Sequence, residues 1–327
     1  MFRKNKCFRW ISAIIVILGL MLFAVGCGAQ EAPPAKSVKP VKIGVLPIED
    51  NLPLYVAEQE GLFAKAGVQV QLVPFNSAQE RDVALQAGQI DGEVADLVAV
   101  GLLKKLGTDV KVASIALGAT PKEGRFAILA APNSRVKKVE DLRNVPIGVS
   151  ENSIIDYVTD QILADAKIPQ GEIKKNPIPN MPVRKDMLLA NKIEAACLPD
   201  PLATLAVSQG ARLVIDDTYR NISQTVLLFR ASSIKDNPGG LKAVVKVYED
   251  AGQILTKNSE KYRNLVIEKA RIPDPLKSSY PIPTFSKLRL PTEEEVNSVM
   301  QWMVKKQLLT APYSYNDLVD RTLLPGA

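Results

Sequence analysis

Histidine is absent from all 327 residues of this chain. Without an imidazole, no Ser-His-Asp or Cys-His catalytic pair can be assembled, and zinc loses its commonest nitrogen ligand. Chemistry based on Lys, Asp/Glu or Tyr stays open, so catalysis is disfavoured rather than excluded. Cysteine is scarce: only Cys7, Cys27 and Cys197 occur. Cys197 lies in the apolar run IEAACL, with no histidine to activate it, and reads as a small buried hydrophobe. Extended basic patches with interleaved aromatics are also missing. Lys137-Lys138 and Lys174-Lys175 stand singly and read as solvated surface. The formal charge of +6 falls to about +2 without residues 1–27, whose four charges are all basic. The high pI therefore says little, and no nucleic-acid partner, metal or cofactor is expected.

What is present is a segment that occurs twice. Residues 81–92 read RDVALQAGQIDG and residues 184–195 read RKDMLLANKIEA, a constant offset of 103. Arg81 pairs with Arg184, Leu85 with Leu188, Ile90 with Ile193 and Asp91 with Glu194. Gly88 falls opposite Asn191, and these residue types best tolerate the left-handed conformation just past a helix end. Each copy reads as a helix, a left-handed cap and a strand starting at the isoleucine, so two similar α/β lobes are expected.

Residues 1–27 combine a basic start (Arg3, Lys4, Lys6, Arg9) with an apolar run from Ile11 to Val25. The run is short for a membrane span. Its end, Ala24-Val25-Gly26-Cys27, resembles the lipobox of bacterial lipoproteins, although Ala24 stands where leucine is usual. That resemblance implies cleavage before Cys27, lipidation of that cysteine, and an extracytoplasmic protein anchored to the cell membrane by lipid. A simple secretory signal or an uncleaved anchor helix are the alternatives. Cys197 would then be the only thiol left, so no intramolecular disulfide can form. Residues 28–40 (GAQEAPPAKSVKP) read as a Pro-rich tether.

From residue 41 strands and helices alternate. Strands are expected at 41–46, 68–73, 90–94 and 110–116, with helices from Pro53, at 78–87 and at 96–106. Strand 125–131 would carry the chain out of the first lobe. A second series follows: strand 146–149, a helix capped by Asn152 or Ser153, strand 173–178, the second repeat, helix 201–209 and strand 211–215. Strand 224–231 would return the chain, and the tail is helical, with Trp302 as a core residue. The fold class is α/β, with mostly parallel sheets flanked by helices.

The stretches VKIGVLPIEDNLPLYVAEQEGLFAKAGVQVQLVPF, ALQAGQIDGEVAD, VEDLRNVPIGV, ENSIIDYV and MLLANKIEAACLPDPLA, with QWMVKKQLLT near the end, carry a resemblance in order and spacing. The chain resembles extracytoplasmic substrate-binding proteins of the nitrate/sulfonate/taurine and thiamine-pyrimidine type over residues 41–325. The resemblance implies a two-lobed, type II periplasmic-binding-protein-like fold with two hinge crossovers. Lobe one would comprise 41–125 and 226–325, and lobe two 126–225. It also implies delivery of a small-molecule solute to an ABC permease and its ATPase; a monomer is the default expectation, and the missing histidine and the export leader argue against catalysis.

Ligands of open α/β sheets bind beyond the carboxyl ends of the strands, beside helix N-termini. That rule selects Pro47, Glu49, Asp50, Asn51, Leu52, Asn76, Ser77, Glu93 and Ala95 in lobe one. In lobe two it selects Ser150, Asn152, Ser153, Tyr157, Met181 and Asp200. Ser, Asn and Asp there are equally ordinary helix caps. These loops are acidic, and Arg81, Arg125 and Arg184 are expected at the surface or a sheet edge. A neutral, zwitterionic or amine-bearing heterocycle is therefore expected rather than a bare oxyanion. The alternatives are a nitrate- or alkanesulfonate-binding protein, a pyrimidine-synthase-like enzyme, or a ligand sensor.

Overall fold

The computed structural model describes residues 39–326 apart from Pro121, Lys122 and Asn221. The leader, Cys27 and residues 28–38 of the tether lie outside the described residues. No helix among the described residues is long and apolar enough to cross a membrane.

The strands are β1 (Val41–Val45), β2 (Val70–Pro74), β3 (Gly92–Asp96), β4 (Val110–Ile115), β5 (Phe126–Ala130), β6 (Pro146–Val149), β7 (Lys174–Pro177), β8 (Ala195–Pro199), β9 (Arg212–Asp216) and β10 (Thr225–Arg230). The principal helices are α1 (Leu52–Gln59), α2 (Ala78–Gln86), α3 (Leu97–Lys105), α4 (Ile154–Asp165), α5 (Met181–Leu189), α6 (Leu202–Ser208), α7 (Pro238–Lys257) and α8 (Glu293–Lys305). Both sheets have five strands, in the orders β2-β1-β3-β10-β4 and β7-β6-β8-β5-β9. Advancing every label by five, cyclically, converts one order into the other. The duplicated segment thus belongs to a duplication of the whole topology.

Each half lends one strand to the other half's sheet. β5 lies antiparallel between β8 and β9, and β10 antiparallel between β3 and β4. The pairings β1–β2, β1–β3, β6–β7 and β6–β8 are parallel. The chain crosses between sheets just ahead of the lent strands, at 116–125 and 217–224, rather than along 125–131 and 224–231. Both lent strands carry a register shift, at Ile128/Leu129 and Leu227/Leu228. Central strands such as FAILA and AACLP are apolar almost throughout because both faces are covered, whereas the edge strands β2 and β7 are half exposed.

The caps follow local chemistry. Gly88 and Asn191 adopt φ of 71° and 57°, as their left-handed role requires. Ser77 accepts from Glu80 N–H, Ser153 from Ile155 N–H and Asn180 from Val183 N–H, starting α2, α4 and α5. Strands β3 and β8 begin two residues after Ile90 and Ile193, which instead plug the sheet at 1% and 8% exposure.

One apolar core packs α1 and α7 on the first sheet. A second runs continuously from α3 through α8 to α4. There the Trp302 ring meets Tyr157 edge-on at 5.4 Å, and its Nε1 donates to Asp160 at 2.9 Å. Helix α8 thus ties a helix of the first lobe to one of the second.

Candidate functional site

A cavity of about 270 Å³ lies where the strand tips of the two sheets face each other. Glu49, after β1, and the loop Tyr280–Pro283 line it from the first lobe; Asp200, Thr204 and Thr218 line it from the second, joined by Arg125 at the end of the first crossing. The first-lobe side holds a carboxyl under tension. Glu49 is 5% exposed and its Oε1 has no protein partner. Burial pushes its pKa up to about 8, against the Tyr280 hydrogen bond and with help from the charges of Asp200 and Asp50. The carboxyl therefore holds its proton near neutrality while the cavity contains no cation.

The second-lobe side is an ion-pair lattice. Arg125 grips Asp200 with Nε at 2.9 Å and Nη2 at 3.1 Å, and the same Nη2 donates to Thr204 Oγ1 at 2.8 Å. Asp216 lies 3.7 Å from Nη1. Asp200 also accepts the Thr204 amide and hydroxyl at the start of α6. Arg125 is thus held by two carboxylates, and the wall it forms is acidic overall. Such a cavity offers acceptors to N–H donors and cations, plus one fixed guanidinium.

Of the residues expected from sequence, Glu49 and Asp200 meet in this cavity. Pro47 and Asn76 line a second hollow of about 360 Å³ on the first lobe, with Tyr55, Phe75, Lys269 and Arg271. Asp50 accepts from the Thr225 hydroxyl at 2.6 Å, tying β1's loop to the lent strand β10. Ser77 and Ser153 serve as caps. Ser150 donates to the Pro179 carbonyl and accepts from Arg184, while the Asn152 amide donates to Asp156. Met181 opens α5, half-buried.

Five of the expected residues do not line this cavity. Leu52 and Asn51 are fully buried, the latter donating to the Leu46 carbonyl and shaping the loop from inside. Ala95 is 5% exposed and packs inward. Glu93 is fully buried 3.2 Å from Arg81, and burial pushes it up to about 8. Tyr157 points away from the cleft, its hydroxyl bonded to Ser298 on α8 at 2.8 Å. The strand-tip rule selects segments and not side-chain directions: Asn51, Leu52 and Tyr157 lie on buried helix faces, and Glu93 and Ala95 are inside strand β3.

The arginines also differ from expectation: Arg81 and Arg184 are 3% and 0% exposed, and Arg125 lines the cavity. The Tyr280–Pro283 wall was missed because it lies in an aperiodic, proline-rich stretch. Its only sequence signal is the cluster YPIP itself.

Two α/β lobes with matching strand orders, two crossovers and a cavity between facing strand tips define the periplasmic-binding-protein class of fold. The periplasmic aliphatic sulphonate binding protein SsuA of Escherichia coli superposes with a TM-score of 0.76 at 19% identity, over 88% of this chain and 99% of its own. The ligand-binding component of an ABC-type import system from Staphylococcus aureus does so at 0.72 and 17%, over 89% and 99%. The chain belongs to the NMT1-like family, whose model matches residues 34–268. It is 22% identical over 259 residues to the nitrate/nitrite binding protein NrtA of Nostoc sp., covering 73% of this chain and 58% of that relative's length.

Proposed function

We propose that this protein is the extracytoplasmic solute receptor of an ABC importer, held at the membrane by lipid on Cys27. It captures a small organic molecule between its lobes without turning it over, and hands it as a monomer to a permease and its ATPase. Lobe one comprises 41–125 and 226–325 in this reading, and lobe two 126–225. The observation that carries the proposal is the interlobe cavity walled by Glu49 and Tyr280 on one side and Arg125 and Asp200 on the other. Contacts to both lobes exist only when the cleft is shut, so ligand favours closure.

The chemistry of the walls favours a neutral, zwitterionic or amine-bearing heterocycle. Glu49 has an unpartnered acceptor, and the one guanidinium is already held by carboxylates. A bare oxyanion would have to displace Asp200 from Arg125. Nitrate or an alkanesulfonate is the second reading, supported by what the names of NrtA and SsuA say those proteins bind.

A melting-temperature panel on the protein beginning at Cys27 tests both, because a ligand of the folded state raises stability by mass action. Stabilisation by pyrimidines or amines is expected. Stabilisation only by nitrate or alkanesulfonates would replace the first reading with the second, and recovery of a chemically altered ligand would revive an enzyme.

A further inference from the structure

The hollow of about 360 Å³ on the first lobe is separate from the interlobe cavity. It lies at the tips of β1 and β2, between Tyr55 of α1 and residues 268–271, and no residue of the second lobe lines it. Only the loop after β1 serves both places: Pro47 lines the hollow and Glu49 the cavity. The volume falls in the range of small-molecule sites.

One part of the lining suits a flat apolar body. Pro47 and Pro74 supply ring surface, and the side chains of Tyr55 and Phe75 are half-buried, each packed on an apolar core and lining the hollow. The Tyr55 hydroxyl makes no hydrogen bond to a described residue.

The charged part is unevenly paired. Lys269 Nζ stands 5.1 Å from the Tyr55 ring centre and donates to Glu268 at 2.7 Å. That carboxylate is 70% exposed, whereas the ammonium is half-buried. Arg271 makes no ion pair with a described residue. Its one side-chain hydrogen bond, Nη2 to Asn76 Oδ1, is long at 3.4 Å. Two cations thus meet one solvent-facing carboxylate, and open guanidinium donors stand beside two aromatic rings. A guanidinium so placed can hold a carboxylate through two parallel bonds. Arg271 also occupies a costly position. Its φ is 50°, in the left-handed region just past a helix, where stability alone would favour glycine.

We propose that this hollow is a second binding site, for a small aromatic acid. The ring lies against Tyr55 and Phe75, the carboxylate meets Arg271, and Lys269 adds charge. One lobe supplies every contact, so the site fills without closure of the cleft and independently of what the cleft holds.

Arg271→Gly is the decisive variant, because it removes the guanidinium and relieves the backbone; it should melt no lower than wild type. If it melts lower, Arg271→Gln, which keeps most of the side-chain length, takes its place. Ligand-observed NMR titrations at constant ionic strength compare three probes. Benzoate carries ring and charge, benzyl alcohol the ring alone, and acetate the charge alone. Wild type is expected to bind benzoate at least about tenfold tighter than either of the others. The arginine variant should lose the margin over benzyl alcohol, and Tyr55→Leu should weaken benzoate by about fivefold. Saturating benzoate should leave the radius of gyration of wild type unchanged. Benzoate held no tighter than benzyl alcohol, or held equally by wild type and the arginine variant, overturns the assignment. A smaller radius with benzoate overturns it too, by placing the acid between the lobes.

Discussion

Glu49 is a buried carboxyl that still faces the cavity. Its proton is held up to a pH of about 8 in the folded protein but only to about 4.5 in the unfolded chain. The folded state binds the extra proton across that window, so the empty protein loses stability as pH rises from 4.5 through 8. Glu93, pushed to about 8, and Asp217, pushed to about 6, both mainly by burial, act in the same direction. Glu49→Gln should match wild type in melting temperature near pH 4.5 and exceed it at pH 8.5. A pH series of melting curves checks this, and parallel curves would refute a buried carboxyl at Glu49. A cationic solute binding to wild type at pH 7 should also release a proton, visible as a buffer-dependent heat. Tyr157 gives the opposite kind of prediction. Its hydroxyl meets Ser298 and not the cavity, so Tyr157→Phe should cost about 1 kcal/mol of stability and leave solute affinity unchanged.

At the scale of elements, the repeated unit is a helix that lays an arginine across a strand glycine, with an isoleucine plugging the turn. A Cβ at Gly44 would meet Ile90 Cδ1 at 2.5 Å as well as the Arg81 stem. Gly44→Val should therefore destabilise by about 1–3 kcal/mol through overpacking, measured by urea denaturation. Helix α8 is the other decisive element. Its Trp302 packs on Tyr157 and bonds Asp160, fastening α4 to the α3 side of the molecule. Trp302→Phe keeps most of the apolar area and leaves a buried carboxylate short of a donor. A loss of about 1.5–3 kcal/mol is expected, as for bonds to charged groups. If Trp302→Phe is as stable as wild type, α8 is not the clasp described.

For the whole molecule, two lobes joined by the crossings at 116–125 and 217–224 have one clasped side, at α8, and one open side, at the cavity. Closure should then proceed about the clasped side. Small-angle scattering should show a smaller radius of gyration with a saturating solute than without it. An unchanged radius together with a raised melting temperature would mean that the cleft is already shut when empty.

Much of this was legible in the chain. The offset of 103 announced two like lobes because duplicated residues must satisfy the same local constraints: a left-handed cap, a plug and a strand. Helix starts were readable from Ser77 and Ser153, since a cap is a contact within three residues. The loops at the strand tips were readable too, because a parallel sheet places them all at one end. Three things lay beyond the sequence. Which residue of each loop faces the cavity depends on side-chain direction, which turned Tyr157 and Leu52 into the core and Glu49 toward the cavity. That each half lends a strand to the other is a pairing between segments far apart in the chain, invisible to any local pattern. The fates of Arg81 and Arg184 also required the fold. The two arginines are identical in the repeat, and only the packed sheets show that one is bonded by Asp82 and the Val94 carbonyl while two donors of the other have no protein partner. Charge is a property of sequence, but its partner is chosen by distance, and tertiary structure alone sets that.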